Sequence, residues 1–457
     1  MANLHQCFSA FVEKRPVCVL ARGILERLND PMRLNRLFDN EAVLGYTRKL
    51  HFSTLVALMT DVVLGVKPSV NAAFEALEQR PDGVSKAAFY NKLDRVETSV
   101  SAAMVQDAYQ QCVPAIDALQ ARFAPWMPGY RCRILDGNHL AATEHRLEPL
   151  RTIYDGPLPG KSLVVLDPER MLVEKVILTQ DGHAQERSLI ADVLPEVQAQ
   201  DIWIADRNFC TTNFLLEIAK QLGFFAIRHH AGMHGELRGT RRRVGRCRTG
   251  IVFEQTFLLK DPETDKLKKL RRITIQLKHP TRDGDREVHV LTNLRKTEAN
   301  AIQVAELYSR RWTIETAFQE LTTTLRCEIK TLGYPKAALF AFCLAVVAYN
   351  AVSLLKASLR AVHGSEKVSE EVSAYYLTLE VRGTYEGMMI AIPEEHWRVF
   401  GKMSMDQFVA VLKELAAKVN LERYQKNKRG PKKPPPKKQT FHNGGHASTY
   451  KLLNETK

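Results

Sequence analysis

The order of strand-like and helical runs predicts an α/β protein. It has a mixed-sheet core carrying a β insertion, with helical regions before and after it. Three observations predict this. Residues 1–125 show amphipathic helical runs and little strand pattern. Between Arg131 and Ile227, three strand-like runs are followed by helix, strand, helix and strand. After Arg228 that alternation gives way to β-branched, Gly- and Arg-rich sequence, and helical spacing returns only near Glu298.

The elements follow in order. Ser69–Gln79, a turn at Arg80-Pro-Asp-Gly83 and Ser85–Val96 form either a plain helical hairpin or a helix-turn-helix. Ser85 is its N-cap, and in the second case Lys86, Tyr90, Asn91 and Lys92 face a DNA groove. Strands are expected at Arg131–Asp136, Ser162–Leu166 and Leu172–Thr179, then a helix over Arg187–Gln198. Asp201–Asp206 is a nearly continuous apolar strand of the kind buried at a sheet centre. A helix over Asn213–Gln221 ends at Gly223, and Phe224–Ile227 is the next strand. Strand-like runs at Gly250–Leu259, Arg272–Lys278 and Glu287–Leu291, with a turn at Arg282-Asp-Gly284, make up a small basic β insertion.

No Gly or Pro occurs from Glu298 to Arg326, so this stretch reads as one helix. At roughly 100° per residue, Tyr308, Arg311, Glu315 and Thr322 fall within about 60° of one another. Ala337–Leu355 carries no charge and is long enough to span a bilayer, but its Asn, Ser and several alanines favour a buried core helix. Residues 365–422 read as a further helical segment, with Tyr375, Tyr376, Trp397 and Phe408 as core candidates.

The charge is uneven. The chain carries +14, and residues 228–298 and 423–457 each contribute +9, so the remainder is slightly acidic. Two basic segments on an acidic body point to a polyanion partner, most simply nucleic acid. The eight cysteines include no C-x-x-C pair, which excludes a zinc ribbon or a disulfide framework and suggests reduced thiols in a cytosolic protein. Glu13, Lys14 and Arg15 interrupt any signal-peptide core.

Asp136 and Asp206 each end an apolar run, and Glu315 lies on the downstream helix. Clustered carboxylates repel and raise one another's pKa. A hard divalent cation removes that cost, and Mg²⁺ suits carboxylate sites that act on phosphates. Two such ions can activate an attacking oxygen and stabilise a leaving one.

These residues carry a resemblance. The segments Ile134-Leu-Asp136-Gly-Asn-His and Ile204-Ala-Asp206-Arg207, the β insertion before the glutamate, and the Y-x2-R-x3-E spacing on Tyr308, Arg311 and Glu315 resemble a known family. It is the DDE transposases of bacterial cut-and-paste insertion sequences, in the insertion-sequence-four group, whose catalytic core is ribonuclease-H-like. The resemblance covers roughly residues 130–350. It implies Mg²⁺-dependent cleavage at transposon ends and strand transfer into target DNA, with Asp136, Asp206 and Glu315 holding two ions and Mn²⁺ able to substitute. It also implies double-stranded DNA partners (terminal inverted repeats and target), a homodimer in the synaptic complex, no membrane, and a bacterial cytoplasmic, nucleoid-associated location.

Tyr308, Arg311, Trp312, Arg207, Arg241, Arg242 and Arg243 would contact DNA, together with Lys86, Tyr90 and Lys92. His139 and His183 read as hydrogen-bonding support rather than metal ligands. Two departures stand out. Thr322 replaces the signature's final lysine, and the insertion contains no Trp on which a displaced base could stack, leaving Phe253 or Phe257. The implied organisation is a helical DNA-binding domain at 1–125, the catalytic core at 126–228 and 294–362, and the basic β insertion at 229–293. A helical region suited to dimerisation follows at 363–422, and a basic disordered tail at 423–457. Two other functions fit the same residues: a nuclease that cuts without joining, and an inactive transposase-derived DNA-binding protein.

Overall fold

In the computed structural model, the described residues are 4–43, 49–78, 83–281, 284–427 and 445–455. The expected turns at Arg80-Pro-Asp and Arg282-Asp, and the Lys- and Pro-rich part of the tail, lie outside them. The core strands are β1 (Arg131–His139), β2 (Lys161–Asp167), β3 (Leu172–Thr179), β4 (Asp201–Ala205) and β5 (Phe224–Arg228). They are ordered β3-β2-β1-β4-β5. β1, β4 and β5 run parallel, β2 runs antiparallel to them, and β3, antiparallel to β2, runs in the direction of β1 again. This mixed sheet with flanking helices is a ribonuclease-H-like fold.

The insertion does not fold apart from that sheet. Its strands β6 (Glu236–Arg246), β7 (Gly250–Lys260), β8 (Leu267–Leu277) and β9 (Glu287–Thr292) continue it, with β9 pairing antiparallel to β5. The result is a single nine-stranded sheet in the order β3-β2-β1-β4-β5-β9-β8-β7-β6. Turn residues could mark the strand ends, but they do not say which edge a strand joins.

Three expectations need correction. Arg187–Gln198 is not an α-helix but two 3₁₀ segments, Glu186–Asp192 and Leu194–Glu196, because Pro195 lacks the N–H that a continuing helix needs. The expected helix across Glu298–Arg326 is two helices, α1 (Ala301–Ser309) and α2 (Trp312–Thr324). The tail is structured at its end. His446–Ser448 pairs parallel with Gly156–Leu158, and a helix follows over Thr449–Glu455.

Helix α3 (Pro335–His363) organises the remaining core. It is long and apolar enough to cross a membrane, yet it lies buried at the centre of the protein. The N-terminal helices, one face of the core strands and the C-terminal helices share one apolar cluster around it, from Phe8 to Tyr424. Among the polar residues buried on α3 is Asn350, which is fully enclosed. Its Oδ1 accepts from the Val173 N–H at 2.8 Å, and its Nδ2 donates to the Val173 carbonyl at 2.9 Å. Asn350 thereby satisfies a backbone pair on edge strand β3 that water cannot reach. Asn350→Ala leaves both groups unpaired and should cost about 2–3 kcal/mol in denaturant unfolding. Ser353→Ala on the same helix should cost less.

Candidate active site

Strands β1 and β4 place the two aspartates side by side. Their parallel register pairs Ile134 with Ile204 and Leu135 with Ala205, so Asp136 and Asp206 come next on neighbouring chains. β1 runs on past Asp136 to His139, so that aspartate lies within its strand rather than at the end. Asp206 directly follows β4, in extended backbone that opens a 3₁₀ turn at Arg207–Phe209.

The third carboxylate arrives through the break between α1 and α2. Here the backbone bonds shorten to i→i+3: Arg311 N–H to the Tyr308 carbonyl, Thr313 to Arg310 and Ile314 to Arg311, at 3.0–3.1 Å. The tightened turn is formed without Gly or Pro, and Arg311 in it is only 8% exposed. Its guanidinium donates from Nη1 to Asp136 Oδ2 at 2.9 Å and from Nη2 to Glu315 Oε1 at 2.8 Å. Glu315 stands in the first turn of α2, where the helix dipole favours a negative charge. Tyr308 is buried beside the guanidinium and feels the charge of Asp206.

The electrostatics are those of a crowded acidic site. Burial pushes Asp136 up to about 6, with Asp206 and Glu315 pushing the same way, while Arg311 and the Gly137 N–H pull it down. Burial also raises the Tyr308 phenol, to about 12, so it is a neutral donor at ordinary pH. Asp206 Oδ1 is buried with no hydrogen-bond partner, a costly arrangement for a carboxylate oxygen. An unpartnered carboxylate oxygen beside two more carboxylates, in an all-oxygen donor set, fits a hard divalent cation.

Residues 127–351 match the family model for the transposase DDE domain. The matched segment contains Asp136, Asp206 and Glu315. Among solved structures, the cryo-EM piggyBac transposase synaptic complex with hairpin DNA is similar at 12% identity and a TM-score of 0.39. That similarity covers 88% of this chain and 87% of that one. No curated protein matches the chain.

The remaining predicted residues, in the matched segment and outside it, divide into two groups. Some are exposed at the surface. Trp312 is 62% exposed, with the Arg311 guanidinium 5.4 Å from its ring. Lys86, Arg207, Arg242 and Arg243 are exposed, and the charge of Arg207 reaches Asp285. Other residues are partly committed within the protein. Arg241 lies 4.1 Å over the Phe253 ring and pairs with Glu287 at 2.7 Å. Phe257 is core, which leaves half-buried Phe253 as the accessible aromatic of the insertion.

Arg241–Arg243 lie within strand β6 rather than on a loop. Lys92 does not face outward. Its Nζ donates to the Leu50 carbonyl at 2.7 Å and sits 4.8 Å from the Phe38 ring. Tyr90 is half-buried, packed against Phe89. The lysine stem found more apolar cover inside than out, a choice that helical spacing cannot reveal. Thr322 is exposed, and its hydroxyl bonds back to the Phe318 and Gln319 carbonyls.

Two residues near the site were given no role by the sequence reading, although the segment Asp181–Glu186 is similar to segments of the same transposases. Glu186 reaches the backbone beside Asp136, where a Cβ on Gly137 would lie 2.2 Å from its Oε1. It accepts from Asn208 Nδ2 at 3.2 Å and lies 3.6 Å from His139 Nε2. Arg228 ends β5, one strand from Asp206, and its charge acts on Tyr308 while it pairs with Asp285 at 2.6 Å. Its position at the carboxyl end of a parallel strand was the available signal, because ligands gather at such ends in α/β sheets. His183 contributes its backbone N–H to the Asp181 carboxylate.

Proposed function

We propose that this protein is a DDE transposase that cleaves DNA at the ends of its element and transfers the freed strand into target DNA. The observation that carries the reading is the convergence of Asp136, Asp206 and Glu315 on one guanidinium, inside the segment that matches the transposase DDE domain. The insertion-sequence-four grouping rests on the Tyr308, Arg311 and Glu315 spacing and on a β insertion placed before the glutamate.

In this reading the three carboxylates hold two Mg²⁺ ions, for which Mn²⁺ can substitute. Bound there, the metal supplies charge neutralisation at the scissile phosphate and an activated oxygen nucleophile. The chain's own residues do the rest. Asp136 and Asp206 project from neighbouring strands of a rigid sheet, which fixes their separation. Arg311 neutralises Asp136 and Glu315 in the free protein and turns to the phosphates of bound DNA. Tyr308 donates its phenolic proton to a phosphate oxygen. Trp312 offers an exposed face to a displaced base, and the basic edge of the insertion holds the flanking duplex. Two DNA ends meet in one complex, so two copies of the chain act together.

The test uses the DNA that flanks the gene, bounded by short inverted repeats, as substrate for the purified full-length chain. With Mg²⁺, 3′-hydroxyl ends at the repeat boundary followed by joined products are expected. Glu315→Gln should still bind the DNA but produce neither. Cut ends without joined products would identify a nuclease instead. Wild type as inert as Glu315→Gln, with either metal, would remove the catalytic reading altogether.

A further inference from the structure

A second cluster of ligating side chains lies far from the carboxylates in chemistry and in sequence. His5 and His396 stack ring on ring, with centroids 4.1 Å apart and planes within 15°. Cys7 stands beside them. One donor atom from each of the three side chains lies within 4.8 Å of the other two. Cys7 is also the only one of the eight cysteines that is not buried.

The neighbours of these residues fix the approach. Phe8 follows Cys7 and Trp397 follows His396. The two rings pack edge to face at 4.8 Å, and both are fully buried. The cluster therefore joins two segments that the core already holds in register: the first helical turns of the chain and the short helix Glu394–Trp397.

The donor set is two imidazoles and a thiol. Nitrogen and sulfur donors in this ratio suit Zn²⁺, a borderline-soft ion, and are poor ligands for Mg²⁺. In a tetrahedral zinc site the donors stand about 3.3–3.6 Å apart, as follows from Zn–N and Zn–S lengths of about 2.0–2.3 Å. Donors already within 4.8 Å need only small side-chain rotations to close on an ion. His5 Nδ1 is engaged by the Cys7 N–H over a long 3.3 Å. That weak bond is easily exchanged for a metal bond or kept while Nε2 ligates.

We infer that His5, Cys7 and His396 form a structural Zn²⁺ site that staples the N-terminal segment to the C-terminal helical region. On binding, the Cys7 thiol gives its proton to solvent, and the sulfur bonds to zinc as thiolate. Glu395 is the nearest further donor on the sequence, and its charge is felt at Cys7. It or a water fills the fourth position. The site is independent of the carboxylate centre, so it stands or falls apart from the proposed catalysis.

The test uses the full-length chain without an affinity tag, purified after expression with added zinc and dialysed into Mg²⁺ buffer free of zinc. Metal content is read by atomic emission. Wild type and Asp136→Asn should each retain one zinc per chain. Cys7→Ser and His396→Gln should lose it while keeping the wild-type circular dichroism spectrum, because Phe8 and Trp397 remain in place. Replacement of zinc by Co²⁺ should give a thiolate-to-metal charge-transfer band in wild type that is absent in Cys7→Ser. A zinc-free wild type, zinc retained by Cys7→Ser, or cobalt without the thiolate band would each overturn the proposal.

Discussion

Asp136→Asn should lower Mg²⁺-dependent DNA cleavage by about 10³-fold, since an amide replaces a charged metal ligand that is asked for several kcal/mol of transition-state stabilisation. Fold stability should barely change at neutral pH or should rise. The reason is the burial of Asp136, which pushes its carboxyl up to about 6 in the folded protein, above its ordinary value of 3.8. A carboxyl raised in this way favours folding while it is protonated. That contribution is complete below about pH 4 and is lost as the pH climbs through about 6. In metal-free protein at pH 7 the ionised group is therefore a liability, which asparagine removes and a bound cation offsets. Mg²⁺ should raise the melting temperature of wild type more at about pH 7.5 than at about pH 5. The difference should shrink in Asp136→Asn. Equal Mg²⁺ shifts at both pH values would show that this carboxylate is not where the ion binds.

Arg311→Ala should reduce cleavage by about 10²-fold, the usual effect of removing one charged donor from a site that stabilises phosphate charge. Metal binding should move the other way. In the DNA-free protein the guanidinium occupies both Asp136 and Glu315, so it competes with any cation for the same oxygens. With the side chain gone, those carboxylates face each other unneutralised, and Mg²⁺ or Mn²⁺ should bind more tightly. Calorimetric titration of metal into DNA-free protein reads this directly. Arg311→Lys keeps a charge but loses the two-pronged grip, and should fall between wild type and alanine. If alanine weakens metal binding, the arginine supports the metal site rather than competing with it.

The sequence exposed the parts of this site that depend on local pattern. An apolar run ending in Asp206, and an arginine and a glutamate four apart, are visible because strand burial and helical spacing act over a few residues. The parallel register that sets Asp136 beside Asp206 is long-range and left no mark of its own. The turn at Arg310–Arg311 was hidden for another reason. Nothing in the local sequence breaks that helix, and the tightened turn accompanies the contacts of a buried guanidinium with Asp136 and Glu315. Motif reading picks out the segment that ends in Glu186 but gives it no role, because its place beside Gly137 is set across the fold. Lys92 shows the same limit at the surface. Its charge suggested an outward role, while the Leu50 carbonyl and the Phe38 ring drew it inward.

The continuous sheet that joins β5 to β9 has a mechanical consequence. A hinged domain could swing to meet substrates of different shape. Here the insertion is a cantilever, built into the same beam as Asp136 and Asp206 and held by rows of backbone hydrogen bonds. Its arginine-bearing outer strand sits a fixed distance from the carboxylates. Whatever that strand grips is thereby placed at a set span from the point of chemistry. The protein can act as a ruler, and changing the number of strands between β5 and β6 would change the length it measures.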